Sequence, residues 1–289
     1  MRETKYMIQA ENLSREFNGR PAVRDLVFAV KEGEVFGFLG PNGAGKTTTI
    51  NMLIGQLRPT FGRAWVAGFD IATQLDRITS LIGVVFEEPT LYEGMSGQDN
   101  LAFFCELQGA SKSRVSELLA QVGLTGRARE KVKTYSQGMK QRLTIARALI
   151  NHPRVLFLDE PTRSLDPATA RAIRRQIAAL SQSGTTIFLT THHMEVADQL
   201  CHRVAFINKG RIVACDSPEA LKIKMGRPLL RVVLKDGSEH MLNIQTPDDA
   251  ARLQAFIAAG QILTLHSQEA SLEDVYLQLT GQRLIATPD

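Results

Sequence analysis

Residues 40–48 read Gly40-Pro41-Asn42-Gly43-Ala44-Gly45-Lys46-Thr47-Thr48, which satisfies the pattern G-x-x-x-x-G-K-[ST]. This run constrains the fold most, because it works only as a loop between a strand and a helix. Its flanks agree. The buried-strand run Val35-Phe36-Gly37-Phe38-Leu39 precedes it, and Ile50, Leu53, Ile54 and Leu57 follow at helical spacing. Strand, loop and helix in that order aim a helix N-terminus and several free backbone N–H groups at one point, which suits the phosphates of a nucleotide. The chain is expected to bind a nucleoside triphosphate. Lys46 would reach the β- and γ-phosphates as a point charge, the Thr47 hydroxyl would ligate Mg²⁺, and Asn42, Gly43, Ala44, Gly45 and Thr48 would complete the cradle.

A second apolar strand, Val155-Leu156-Phe157-Leu158, ends in Asp159-Glu160. Two acids after a strand are, taken alone, more often a solvated strand end. Here they follow Lys46 by 113 residues and read as the other half of the same site. Asp159 is placed near the metal. Glu160, one residue on, is placed near the γ-phosphate, where a carboxylate can polarise the attacking water as general base.

At 289 residues the chain is long enough for about two domains and a sizeable core. Apolar residues make up 44% and charged residues 22%, ordinary for a globular protein. The net charge of +4 comes without a Lys/Arg cluster interleaved with aromatics, so it reads as a solvated basic surface and no nucleic-acid partner is expected. Cys105, Cys201 and Cys215 show no C-x-x-C spacing and suggest packing roles in a reducing compartment. No run approaches the roughly 18–20 apolar residues that cross a bilayer, and Met1-Arg2-Glu3-Thr4-Lys5-Tyr6 lacks a signal-peptide apolar core. The expectation is a cytosolic protein. Any work at a membrane would need spanning helices from another chain.

Short strand-like runs, Met7-Ile8 and Leu26–Val30, are broken by turns at Asn18-Gly19 and Glu32-Gly33-Glu34. From about 96 to 150 the periodicity is helical, through Leu101, Phe104 and Cys105 and then Val115, Leu118, Leu119 and Val122. A helix through Ile173, Ile177 and Leu180 separates the Val155 strand from Thr186-Ile187-Phe188-Leu189. This alternation predicts an α/β fold with a mostly parallel core sheet covered on both faces. Val204–Val213 reads as a hairpin turning at Asn208-Lys209-Gly210.

After Gly226-Arg227-Pro228 the character changes. A hairpin around Asp236-Gly237, a helix at about 248–259, a strand at 262–266 and a helix from Ser271 to Gly281 suggest a small α+β appendage. That tail carries five Lys/Arg against eight Asp/Glu. The predicted domains are 1–224, with a helical subdomain at about 88–150, and 227–289. There are no internal repeats.

Taken in order over about residues 7–222, these motifs resemble the nucleotide-binding subunit of an ATP-binding cassette (ABC) transporter. They are most similar to bacterial exporter subunits of the drug and polysaccharide type. The resemblance implies a P-loop NTPase fold of ABC type with an N-terminal antiparallel β region, ATP and Mg²⁺ as ligands, and ATP hydrolysis. Tyr135-Ser136-Gln137-Gly138-Met139 occupies the signature motif usually written L-S-G-G-Q, matching it at Ser136 and Gly138. Ser136 is a good N-cap, and Met139, Leu143, Ala146 and Ile150 line one face of the helix behind it. In the family that helix start faces the γ-phosphate held by a second copy, so two ATP molecules lie in a head-to-tail dimer.

Further positions carry over singly. Ser164-Leu165-Asp166 matches the loop that crosses the dimer, with Asp166 expected near the partner's phosphate loop. Thr190-Thr191-His192 matches the switch histidine that bonds the γ-phosphate; His193 behind it reads as an ordinary residue. Phe17 stands where the family has an aromatic that stacks on adenine, and is read either so or as a core aromatic.

At Val84-Val85-Phe86-Glu87-Glu88-Pro89 the chain departs from the pattern, with Glu87 in place of the usual glutamine that touches Mg²⁺ and links the site to the membrane subunit. A glutamate oxygen can still ligate a hard cation, while adding a negative charge. Leu91 and Tyr92 lie where the family receives a helix of the permease, and read either as a docking surface or as local core.

The resemblance implies a separate transmembrane permease, attachment through it to the cytoplasmic face of the membrane, and powering of transport, in the export direction by analogy. The alternatives are a non-transport ABC ATPase or a regulatory nucleotide-binding module with little turnover. The helix from Ser271 is expected to pack the appendage.

Overall fold

The computed structural model describes residues 5–225, 229–268 and 270–281. The chain divides into two compact units, the first running to Cys215 and the second starting at Asp216.

The first unit opens with two long strands, β1 (Tyr6–Phe17) and β2 (Arg20–Lys31), followed by β3 (Val35–Leu39). The β1–β2 turn is made by Asn18 and Gly19, both at positive φ (49° and 74°), the left-handed pair that a tight hairpin needs. The phosphate loop leads into α1 (Lys46–Leu53). Then come β4 (Phe61–Val66), β5 (Phe69–Asp70), α2 (Leu75–Thr79) and β6 (Ile82–Val85). Three helices follow: α3 (Gly97–Leu107), α4 (Ser113–Gln121) and α5 (Gln137–Ala148). The chain returns to the sheet in β7 (Val155–Asp159), α6 (Pro167–Gln182), β8 (Thr186–Thr191), α7 (Met194–Leu200), β9 (Arg203–Asn208) and β10 (Arg211–Asp216).

Two sheets result. The larger has the order β10-β9-β3-β8-β7-β6, and β3, β8, β7, β6 and β9 pair in parallel. All five residues of β3 and of β7, and all six of β8, are buried, as expected of strands covered on both faces. The smaller sheet is antiparallel in the order β2-β1-β4-β5. The sequence indicated only fragments of it, because register shifts in the β1–β2 ladder at Ala10/Leu13 and Leu13/Arg15 interrupt the two-residue alternation.

Aromatic rings join the two sheets. Phe28 of β2 lies 5.7 Å from Phe36 and 5.9 Å from Phe188 of the parallel sheet, and Phe157 lies 5.7 Å from Phe188. Helix α1 packs against β2, β4 and β7, so the helix that starts at the phosphate loop is wedged between both sheets. Helices α3, α4 and α5 pack on one another, and α5 also meets β6.

The second unit holds α8 (Pro218–Met225), β11 (Leu229–Leu234), β12 (Glu239–Asn243), α9 (Pro247–Ala258), β13 (Ile262–Gln268) and α10 (Leu272–Thr280). Its sheet has the order β12-β11-β13, with Val232, Leu234 and Leu242 buried under Leu253 and Phe256 of α9. Ser271 and Asp274 form a reciprocal capping box at the start of α10, and Gly281 closes it at φ 68°. Helix α8 packs against α10, which starts this unit earlier in the chain than the composition change at 226–228, a segment outside the described residues.

Candidate functional site

The parallel register brings the ends of β3, β7 and β8 to one edge. Leu39 pairs with Thr191, and Asp159 with Thr190. Residues immediately after these strands must therefore meet, although they lie far apart in the chain. Ligands of open α/β sheets bind at this carboxyl edge.

The phosphate loop is built by glycines at the positions that need them. Gly43 has φ 78° and Gly45, which caps α1, has φ 110°. A side chain at Gly45 would put its Cβ 2.9 Å from the Ala22 carbonyl oxygen, so the loop is held tightly under β2. Asn42, Gly43 and Thr47 are exposed, while Ala44 and Gly45 are buried and Thr48 is half-buried. Lys46 is buried and turns back over the loop, donating from Nζ to the carbonyls of Gly40 (2.7 Å) and Pro41 (3.3 Å). Burial lowers the pKa of its ammonium; Glu160, 3.5 Å from Nζ, pulls the other way.

Across from the loop, the Thr47 hydroxyl donates to Oδ2 of Asp159 at 2.9 Å, and the Thr190 hydroxyl donates to Oδ1. Glu160 stands one residue beyond β7 with φ 48°, and its backbone N–H donates to the Thr190 carbonyl at 3.1 Å. Its Oε1 accepts from Nδ1 of His192 at 2.8 Å. Its Oε2 is buried and meets no hydrogen-bond partner among the described residues. Burial pushes this carboxyl up, but the hydrogen bond and charge of His192 and the charge of Lys46 outweigh it, and the pKa falls below the ordinary carboxylate range. His193 stacks on His192 with ring centroids 4.0 Å apart.

Lys46, Thr47, Asp159, Glu160 and His192 are thus one constellation. The residues fit a magnesium–triphosphate. An ammonium stands ready over the loop, a hydroxyl and a carboxylate share one place, and a buried carboxylate oxygen is left free. Among the described residues no group of three or more His, Cys, Asp and Glu could hold a metal by itself.

The remaining sequence-derived residues lie as follows. Ser136 caps α5, accepting from the Met139 N–H at 3.3 Å. Gly138 is buried where α6 approaches, since a Cβ there would sit 2.4 Å from Cγ2 of Thr169. Asp166 caps α6, accepting from the N–H groups of Ala168 and Thr169 at 3.0 Å each; the Thr169 hydroxyl and these backbone bonds lower its pKa. Phe17 is 44% exposed and not a core residue, with the Arg15 guanidinium 4.7 Å from its ring centroid. Among the described residues no hydrogen bond or ion pair joins Glu87 to Thr47 or Asp159; its carboxylate is ion-paired with Arg163. Sequence reasoning assigned no role to Arg163 or Thr190. For Thr190 the signal was its place in the Thr190-Thr191-His192 run.

Comparisons with known proteins bear on the family of the chain. A family model described as ABC transporter matches residues 23–163. The chain is 46% identical over 269 residues to a fluoroquinolones export ATP-binding protein of Mycobacterium tuberculosis (strain CDC 1551 / Oshkosh), covering 91% of this chain and 89% of that one. It is 37% identical over 305 residues to the daunorubicin/doxorubicin resistance ATP-binding protein of Streptomyces peucetius, covering 95% and 92%. Among solved structures, cbiO1 from Clostridium perfringens, part of an ABC transporter complex, superposes with a TM-score of 0.71 at 27% identity, covering 76% of this chain and 92% of that one. On this likeness the chain belongs to the ABC transporter ATP-binding family and is an ATPase of that class.

Proposed function

We propose that this chain hydrolyses Mg²⁺-ATP as one of two copies that close head-to-tail on the nucleotide, and that it drives export of drug-like small molecules through a separate membrane permease. The convergence of Lys46, Thr47, Asp159, Glu160 and His192 at one sheet edge carries the reading. Lys46 would leave its loop carbonyls for the β- and γ-phosphates, and Thr47 and Asp159 would hold the cation, which withdraws charge from the phosphoryl group being transferred. Water attacks the terminal phosphorus, the bond to the β-phosphate oxygen breaks, and the water proton passes to Glu160. The anchored Glu160–His192 pair fixes where that base stands. Phe17, exposed and backed by Arg15, offers its open face to adenine. The exposed start of α5 at Ser136, and Asp166, would serve the site of the other copy.

No helix among the described residues is long and apolar enough to cross a membrane, so membrane attachment would come through the permease. A seat for it is supported by a groove of about 660 Å³ lined by Leu75, Phe86, Phe104, Gln108 and Arg147. Beside it stand Tyr92 and Phe103, exposed and ring-packed on Phe104, and Leu107, which is 70% exposed. Such an apolar patch suits a protein partner. Two measurements test the proposal. Purified wild type should turn over ATP and Glu160→Gln should not. A permease chain with membrane-spanning helices should copurify from detergent-solubilised membranes, and a ribosome or DNA partner instead would overturn it.

A further inference from the structure

The strands β6 and β7 are parallel neighbours, Val85 pairing with Leu158, and each runs out into a short loop at the phosphate edge. Glu87 comes from the first loop and Arg163 from the second, and their side chains form an ion pair. Arg163 is fixed in a turn whose N–H donates to the Glu160 carbonyl at 3.1 Å, three residues after the catalytic carboxylate. That turn starts at Glu160, whose carboxylate lies 3.5 Å from Lys46 Nζ, so Arg163 stands next to the triphosphate site, and Glu87, in contact with it, stands at the rim of that site. An unpaired carboxylate at this rim would repel a nucleotide carrying three or four negative charges.

We propose that Arg163 is a positioning residue that neutralises Glu87, so that an acid is tolerated beside the triphosphate, and that the pair ties the loop after β6 to the loop after β7. This rests on the nucleotide-site reading above. The pair is half-exposed, with side chains 45% and 39% accessible, so its effect acts through local charge and is weakened by salt.

The test compares wild type, Glu87→Gln, Arg163→Ala, Arg163→Lys and the double variant Glu87→Gln/Arg163→Ala. The probes are equilibrium binding of a fluorescent ATP analogue, with and without Mg²⁺, at low and high salt, and the split between KM and kcat. Arg163→Ala should weaken metal-free ATP binding and raise KM by about tenfold at low salt, with kcat changed by less than about threefold. The loss should shrink at high salt. Arg163→Lys should keep the wild-type value. The double variant should return to within about twofold of Glu87→Gln, because no lone acid remains. A tenfold loss that persists in the double variant, or an Arg163→Ala protein that binds like wild type, overturns the proposal. Wild type failing to bind ATP would overturn the nucleotide-site reading, and this inference with it; normal wild-type binding with no Arg163 effect sinks only the inference.

Discussion

Nδ1 of His192 holds one oxygen of the Glu160 carboxylate at 2.8 Å while the other oxygen is buried without a hydrogen-bond partner among the described residues. Anchoring one oxygen and freeing the other is what a general base needs to meet a water in a fixed place. Glu160→Gln keeps the shape and removes the proton acceptor. It is expected to lower kcat by about 10²–10⁴-fold while nucleotide affinity stays within about threefold. Single-turnover hydrolysis and equilibrium nucleotide binding on the same preparation check both halves.

Lys46→Ala removes the ammonium that now rests on the Gly40 and Pro41 carbonyls. Binding and turnover should both be lost, and nucleotide should no longer raise the unfolding temperature. Hydrolysis as brisk as wild type would remove Lys46 from the site.

Glu87→Gln restores a neutral amide at the rim. ATPase activity is expected to stay within about tenfold of wild type, a change below about 1.4 kcal/mol in barrier. Steady-state turnover of the two proteins decides this, and a near-complete loss would give the acid a specialised role.

Gly45 has φ 110° and lies under the Ala22 carbonyl. Gly45→Ala meets both a disfavoured backbone and a close contact, and should cost about 1–3 kcal/mol of stability together with nucleotide binding. Thermal unfolding with and without ATP measures both effects.

The folded pKa of Glu160 lies below its ordinary value of 4.5. The unfolded chain then binds more protons between the two values, so this carboxylate contributes stability that is present above about pH 4.5 and is lost as pH falls through the folded value. Without nucleotide, wild type should unfold at a higher temperature than Glu160→Gln at pH 7, and the gap should narrow below about pH 4. Calorimetry at the two pH values gives the answer, and a gap that widens in acid would contradict the sign.

What could be read from the sequence was what is local. The phosphate loop declares itself within nine residues, and Asp159-Glu160 follows an unbroken apolar run, so four of the side chains that converge in the candidate site were legible before any fold was known. The Ser271 cap and the Asp236-Gly237 turn were legible for the same reason. The pairing of Glu87 with Arg163 was not, because it exists only once β6 and β7 lie side by side. The β4–β5 ribbon was also missed: Gly62 and Arg63 interrupt its apolar pattern, and Gly62 at φ 79° packs on the Asn12 carbonyl of a distant strand. The exposure of Phe17 is likewise a tertiary fact, since nothing in its neighbours distinguishes a ring facing solvent from one facing the core.

The left-handed backbone at Glu160, φ 48°, runs against the preference of a side-chain-bearing residue and costs on the order of 1 kcal/mol or more. The backbone is kept there by the side chain, through the bond to His192 and the ion pair with Lys46. Shape and fuel use therefore hang on one residue: whatever loosens its grip on either neighbour lets the bend relax and lets the reacting oxygen wander.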